Sequence, residues 1–149
     1  VKASKVIFIV GVLFIAILSG CNRNAADMVT DGHVIINEHL KTITFISVLT
    51  DEALEPNTPF QARFFLEGST IRNALGIDLV YTDEELKSHK KNEKSKKYSV
   101  EKTIEIKESE KIDQLIKEIK DKDKKTVTVE IVNENGKIDE MVLHKIEKE

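Results

Sequence analysis

The sequence predicts an α+β domain, mostly antiparallel β-sheet with one well-defined amphipathic helix near the C-terminus. Three observations carry this reading. Apolar and polar residues alternate in several separate runs, β-branched Ile, Val and Thr fill those runs, and one stretch near the C-terminus instead repeats its apolar residues at helical spacing.

Taken in order, "HVIINEHLKTITFISVL" (33–49) is rich in β-branched residues and reads as one or two strands. "DEALEPNTP" holds both prolines of the chain, Pro56 and Pro59, and breaks the pattern. In "PFQARFFLEG", Phe60, Ala62, Phe64 and Leu66 alternate with Gln61, Arg63 and Glu67, which predicts a strand with one buried face. "STIRNALGIDLVY" is ambiguous, and Ile77 to Tyr81 is read as a strand after a turn at Gly76. Thr82 and Glu85 fit a capping box, so a short helical turn is expected there. Residues 87–97, "KSHKKNEKSKK", contain no apolar residue and read as an exposed Lys-rich loop.

Beyond the loop, Tyr98, Val100, Ile104 and Ile106 share a parity broken by Lys102, the pattern of a half-buried strand. In "SEKIDQLIKEIKD", Ile112, Leu115, Ile116 and Ile119 form one apolar stripe of a helix, with Ser109 as its expected N-cap. "TVTVEIV" alternates through Val127, Val129 and Ile131, and Asn135-Gly136 supplies the residues of a hairpin turn. "IDEMVLHKI" is the returning strand, in a register left open between Met141/Leu143 and Val142/Ile146.

Composition bounds the function. With 149 residues and 40% hydrophobic content the chain can bury a core of one ordinary domain. Its 23 basic residues face 26 acidic ones, interspersed, which is not the basic excess of a nucleic-acid binder. Aromatics make up only 5% and Trp is absent, so stacking platforms for sugars or bases are not expected.

The N-terminus carries an address. Lys2 and Lys5 precede an apolar run from Val6 to Leu18, which small Ser19 and Gly20 separate from Cys21, the single cysteine of the chain. That order is a secretory signal, and a run of this length falls short of the ~20 apolar residues needed to cross a bilayer. Leu18-Ser19-Gly20-Cys21 resembles the lipobox of bacterial lipoproteins at all four positions. The resemblance covers about the first 21 residues. It implies recognition of Leu18, Ser19 and Gly20 by the lipoprotein signal peptidase, a diacylglyceryl thioether on Cys21, and a mature chain that starts there, lipid-anchored on the extracytoplasmic face of the cell membrane. A disulfide is ruled out for want of a second Cys. The Lys/Ile/Glu-rich composition is similar to that of low-GC Gram-positive bacteria. The expected organisation is therefore a signal peptide over 1–20, a lipidated Cys and flexible tether over 21–32, and a single domain over 33–149.

No motif for catalysis emerges. His33, His39, His89 and His144 lie outside any metal-binding spacing, and a surface position is the simpler reading even for His33 beside Glu38 and His39. "DKDKKT" and "NENGKIDE" lack the alternating ligands and terminal Glu of a calcium loop. No enzyme activity, cofactor or metal is expected. Lys87, Lys90, Lys91, Lys94, Lys96 and Lys97 are candidate contacts to anionic lipid headgroups or wall polymers, against the plainer reading of a solvated loop. Two functions fit these features. The first is a non-enzymatic module that binds another cell-envelope protein, of the immunity, exclusion, inhibitor or assembly type. The second is a small envelope sensor or ligand- or wall-polymer-binding lipoprotein.

Overall fold

The computed structural model describes residues 24–149; the apolar run and the lipobox lie outside them. In chain order the elements are β1 (Val29–Asn37), β2 (Thr42–Thr50), β3 (Pro59–Leu66), α1 (Ser69–Leu75), β4 (Leu79–Tyr81), β5 (Leu86–Lys87), β6 (Lys97–Glu105), α2 (Ile112–Lys120), β7 (Val127–Asn133), β8 (Gly136–Val142) and β9 (Ile146–Lys148). A 3-10 turn, Ser109–Lys111, leads into α2. The class is α+β with mostly antiparallel pairing, but with two helices where the sequence predicts one.

The strands form two sheets, β6-β2-β1-β9 and β4-β3-β7-β8, with β5 pairing to β3. Each sheet turns one face inward because its strands alternate. Val34, Ile36, Ile43, Phe45 and Leu49 are buried from the first sheet; Phe60, Ala62, Phe64, Leu66, Val127, Val129 and Ile131 from the second. The faces meet where Phe45 and Phe64 stack with ring centres 5.3 Å apart. Full burial of one such side chain stabilises by about 1.5–3 kcal/mol, so the inter-sheet layer is the main source of stability. Gly32 in β1 makes room for this packing. A Cβ there would lie 2.5 Å from Leu143 Cδ2 and 3.1 Å from the Ile46 carbonyl oxygen.

Both helices close one end of the sandwich. α2 buries Ile112, Leu115 and Ile119, and Ile116 is half-buried beside them. Ser109 does not cap it: the helix is entered through the 3-10 turn, without a side-chain cap bond. The short α1 buries Ile71, Ala74 and Leu75 and ends at Gly76, whose φ of 71° is the left-handed C-terminal conformation glycine tolerates. Its carbonyl at Ala74 accepts the Lys107 N–H at 2.7 Å, which ties the end of β6 to the helix.

Several expectations are corrected. The tether is shorter, because Met28 is fully buried and β1 already begins at Val29. The fourth strand covers only Leu79–Tyr81, since the residues before it leave α1. Thr82 opens no helix; its hydroxyl donates to the Ala62 carbonyl at 3.0 Å, and Leu86–Lys87 pair with β3. Between β7 and β8 the turn residues are Glu134 and Asn135, and Gly136, with φ 114°, follows them rather than sitting at the turn's centre. In β8, Met141 pairs with Val129 and Val142 with Thr128; Leu143 is buried, and Ile146 belongs to a separate strand parallel to β1.

If the helix is held by its buried stripe, Leu115→Asp places an uncompensated carboxylate in the core at a cost of several kcal/mol, comparable with a total stability of ~5–15. Thermal unfolding is expected to show a collapsed midpoint for Leu115→Asp, a smaller loss for half-buried Ile116→Asp, and little change for exposed Lys117→Asp. Equal midpoints for the first and last would contradict the packing.

Candidate functional site

The strands gather at one end of the sandwich what the sequence scatters. Antiparallel pairing puts the start of β1, the end of β2 and the start of β6 together, since Val29 pairs with Leu49 and Lys97 with Thr50. In the second sheet the start of β3 lies beside the end of β7, as Gln61 pairs with Val132. The Lys-rich loop, the 51–58 turn, the β7–β8 turn and the entry of the chain at Asn24 all belong to this end. The helices occupy the opposite one.

A fully buried carboxylate organises this end. Asp51 follows β2, where an Asp after a strand reads as an ordinary turn residue, and its side chain accepts three bonds. They come from the His89 N–H at 2.6 Å, the Lys96 N–H at 2.7 Å and the Tyr98 hydroxyl at 2.8 Å. Tyr98 shares its proton with the Lys87 carbonyl at 2.7 Å, and its ring stands edge-on to Phe60 with centres 5.3 Å apart. Asp51 therefore grips both ends of the segment 89–96 and closes it into a loop. Ser88, also buried, adds a second tie: its hydroxyl donates to the Glu55 carbonyl at 2.6 Å and accepts the Thr58 N–H at 2.8 Å.

The electrostatics fit a structural clamp. Burial by itself pushes the Asp51 carboxyl up, but the bonds from Lys96, Tyr98 and His89 outweigh it and hold its pKa below the ordinary 3.8. The Tyr98 phenol is pushed up to about 12, first by burial and then by its bond to the carboxylate. His89 Nδ1 is 3.2 Å from Asp51 Oδ1, yet it is buried and not aligned for a hydrogen bond. The Asp-His pair has a serine next to it, but Ser88 is bonded to Glu55 and Thr58, not to His89.

The six lysines are all exposed, as expected, although Lys87 lies in β5 and Lys97 opens β6. Lys96 pairs loosely with Glu93 at 3.9 Å, and Lys90, Lys91 and Lys94 make no ion pair among the described residues. The histidines are not brought together. His33 sits on the outer face of the first sheet, 3.9 Å from Glu147; His39 is in the exposed β1–β2 turn; His144 Nδ1 is 2.9 Å from the Ile119 carbonyl. Among the described residues no three His, Cys, Asp or Glu side chains group as metal ligands.

Chain entry is fixed to the same end. The Asn24 and Asn133 side-chain amides bond reciprocally at 3.2 and 3.1 Å, the Ala26 N–H donates to the Ile138 carbonyl at 3.2 Å, and Asp139 accepts the N–H groups of Met28 and Val29 at 2.8 and 2.9 Å. Residues 24–28 thus run beside the first half of β8, from Gly136 to Asp139. Close by, an open cleft of about 450 Å³ is lined by residues including Phe60, Tyr81, Glu85 and Asn133. Arg63 stands over the Tyr81 ring, 5.9 Å from its centre, and bonds Glu130 at 2.9 Å.

β6 is the longest outer strand. The Ile106 N–H bonds the Lys41 carbonyl and the Asp51 N–H bonds the Lys96 carbonyl, so the even-numbered residues of β6 face β2 with their backbone groups and the odd-numbered ones turn theirs outward. Residues 82–86 front Ser99 to Glu101 across a cleft of about 230 Å³, and Lys102 reaches Asp83 at 2.6 Å. Thr103 and Glu105 are left open. They pair with Thr44 and Thr42, while half-exposed Ile46 and Val48 lie on the outer face opposite the fronted Glu101 and Ser99.

Comparison with known proteins gives no relative: no family model, no curated protein and no solved structure matches the chain.

Removing the clamp is expected to leave three donors without their acceptor. Asp51→Ala should cost roughly 3 kcal/mol or more and abolish slow hydrogen exchange at the His89 and Lys96 amides. The depressed pKa fixes the pH dependence. The carboxylate's contribution is complete above the ordinary unfolded value near 4 and is lost as pH falls through the lower folded value. The stability gap between wild type and Asp51→Asn should be constant from about pH 5 to 8 and close below about pH 4. A gap independent of pH would mean that the fold leaves the Asp51 pKa at its unfolded value, and a wild type that loses stability relative to Asp51→Asn as pH rises above about 4 would mean that Asp51 is neutral in the fold.

Proposed function

We propose that the protein is a membrane-anchored extracytoplasmic lipoprotein that acts as a non-enzymatic interaction module, binding another cell-envelope protein in the manner of an immunity, exclusion, inhibitor or assembly factor. The observation that carries this reading is the unpaired edge of β6. Thr103 and Glu105 offer backbone donors and acceptors to an added strand, with Thr44 and Thr42 opposite them on β2. The other long outer strand, β8, has residues 24–28 beside its Gly136–Asp139 half, which favours β6 as the edge for pairing. The lipobox supplies the location, since two acyl chains on Cys21 hold a protein at a membrane where one chain would not.

The second reading, a sensor or a ligand- or wall-polymer-binding lipoprotein, has the cleft beside Phe60 and Tyr81 in its favour. Its polar, open lining suits a weakly held ligand less well than the edge suits a strand.

Two measurements test the proposal separately. Mass spectrometry of the membrane-associated protein is expected to find an N-terminus at Cys21 carrying a diacyl thioether, and a mature form with a free thiol or another start would end the lipoprotein assignment. A photo-crosslinking residue at Thr103 in intact cells should give one discrete protein adduct that is lost in Glu105→Pro, because proline deletes an outward N–H of the open stretch without touching the β2 ladder. Adducts no more defined than those from an exposed helix position such as Lys120 would end the edge-pairing assignment.

A further inference from the structure

The end of the sandwich that receives the chain from Cys21 is the end that carries the lysines, and the leash between them is short. Only two residues, Asn22 and Arg23, separate Cys21 from Asn24, whose side chain is bonded to Asn133 and to the Gly136 carbonyl. The three Cα-to-Cα steps span at most ~11 Å. A tether running to residue 32 would span ~36 Å. The difference decides the electrostatics, because the Debye length is ~10 Å at 0.1 M salt. On the long tether the lysines would sit beyond the field of the bilayer surface; on the short one they stay near it.

The loop is also built to present its charge. Asp51 and Ser88 pin its ends, and Asn92, with φ 70°, turns it at the middle, so that exposed Lys90, Lys91 and Lys94 are held on a closed loop rather than a free coil. From Lys87 to Lys97 there are six lysines against the single Glu93. Side-chain ordering is an entropic cost that a pinned loop has partly met before binding. We infer that Lys90, Lys91 and Lys94 dock on anionic lipid headgroups, with the Asp51-clamped end of the domain flush against the bilayer and the helices and the open end of β6 directed away from it. This rests on the anchor at Cys21 and adds an orientation to it: Thr103 and Glu105, at the far end of β6, face out toward a partner.

The test uses the full chain, purified from membranes in detergent and reconstituted into vesicles of phosphatidylcholine alone or with phosphatidylglycerol. Brief amine acetylation followed by peptide mass spectrometry reports the reactivity of each lysine. On anionic vesicles at low salt, Lys90, Lys91 and Lys94 should react about fivefold more slowly than on neutral ones, with Lys117 and Lys120 of α2 unchanged and the protection removed at high salt. K90Q/K91Q/K94Q should abolish any protection that spreads to Lys87 and Lys97. Equal rates on both vesicles would overturn the inference, as would protection that appears only when soluble poly(glycerol phosphate) is added, which would assign the lysines to a wall polymer. The N-terminal mass of the same sample separates the two ideas. A diacylated chain with equal rates ends the docking and leaves the anchor, whereas a chain that is not lipidated and leaves the vesicles ends both.

Discussion

The contact between the inner faces of the two sheets, centred on the stacked rings of Phe45 and Phe64, is what every other feature is hung upon. Each sheet taken alone would expose a row of Ile, Val, Leu and Phe; together they hide it, and their strand ends become the two ends of a sandwich. One end is closed by the helices through Ile71, Leu75, Leu115 and Ile119. The other is left to turns, and turns are where polar chemistry and variable loops can be carried without disturbing the core.

A buried carboxylate is an unusual way to finish such an end. Asp51 stays ionised because three donors converge on it, and those donors come from the two ends of one loop and from Tyr98 at the start of β6. The clamp makes a segment with no apolar residue behave as part of the fold. It converts a run of lysines from a solvated coil into a shaped, positively charged surface. The same end is tied to the N-terminal segment by the Asn24–Asn133 pair and by Asp139, so the entry of the chain and the charge belong to one end of the fold.

The edges of the sheets are treated unequally, and this has a functional consequence. The chain's own entry segment lies beside the first half of β8, and β9 is only three residues long, whereas β6 has nine residues and is fronted for only part of its length. Charged Glu101, Lys102 and Glu105 along β6 discourage indiscriminate pairing with other sheets while leaving its outward backbone groups usable by a matched partner.

Much of this was legible in the sequence, because period and chemistry are local. Alternation marked β2, β3, β6 and β7, the stripe of Ile112, Leu115 and Ile119 marked α2, and the run of lysines without an apolar residue marked the loop. α1 was not legible: seven residues with Thr, Ile and Asn among them have little helical preference, and the helix exists because Ile71, Ala74 and Leu75 are buried against the rest of the core. Met28 read as part of a tether because one apolar residue has no period. Asp51 read as a turn residue because its partners lie 38 and 45 positions away. The sequence by itself thus determined the strand faces, the main helix and the expectation of a lipid anchor, all of which depend on residues near one another in the chain. Only the tertiary structure decided that the entry point, the clamp and the lysines share one end and that β6 keeps a free edge, because strand pairing brings together residues the chain holds far apart.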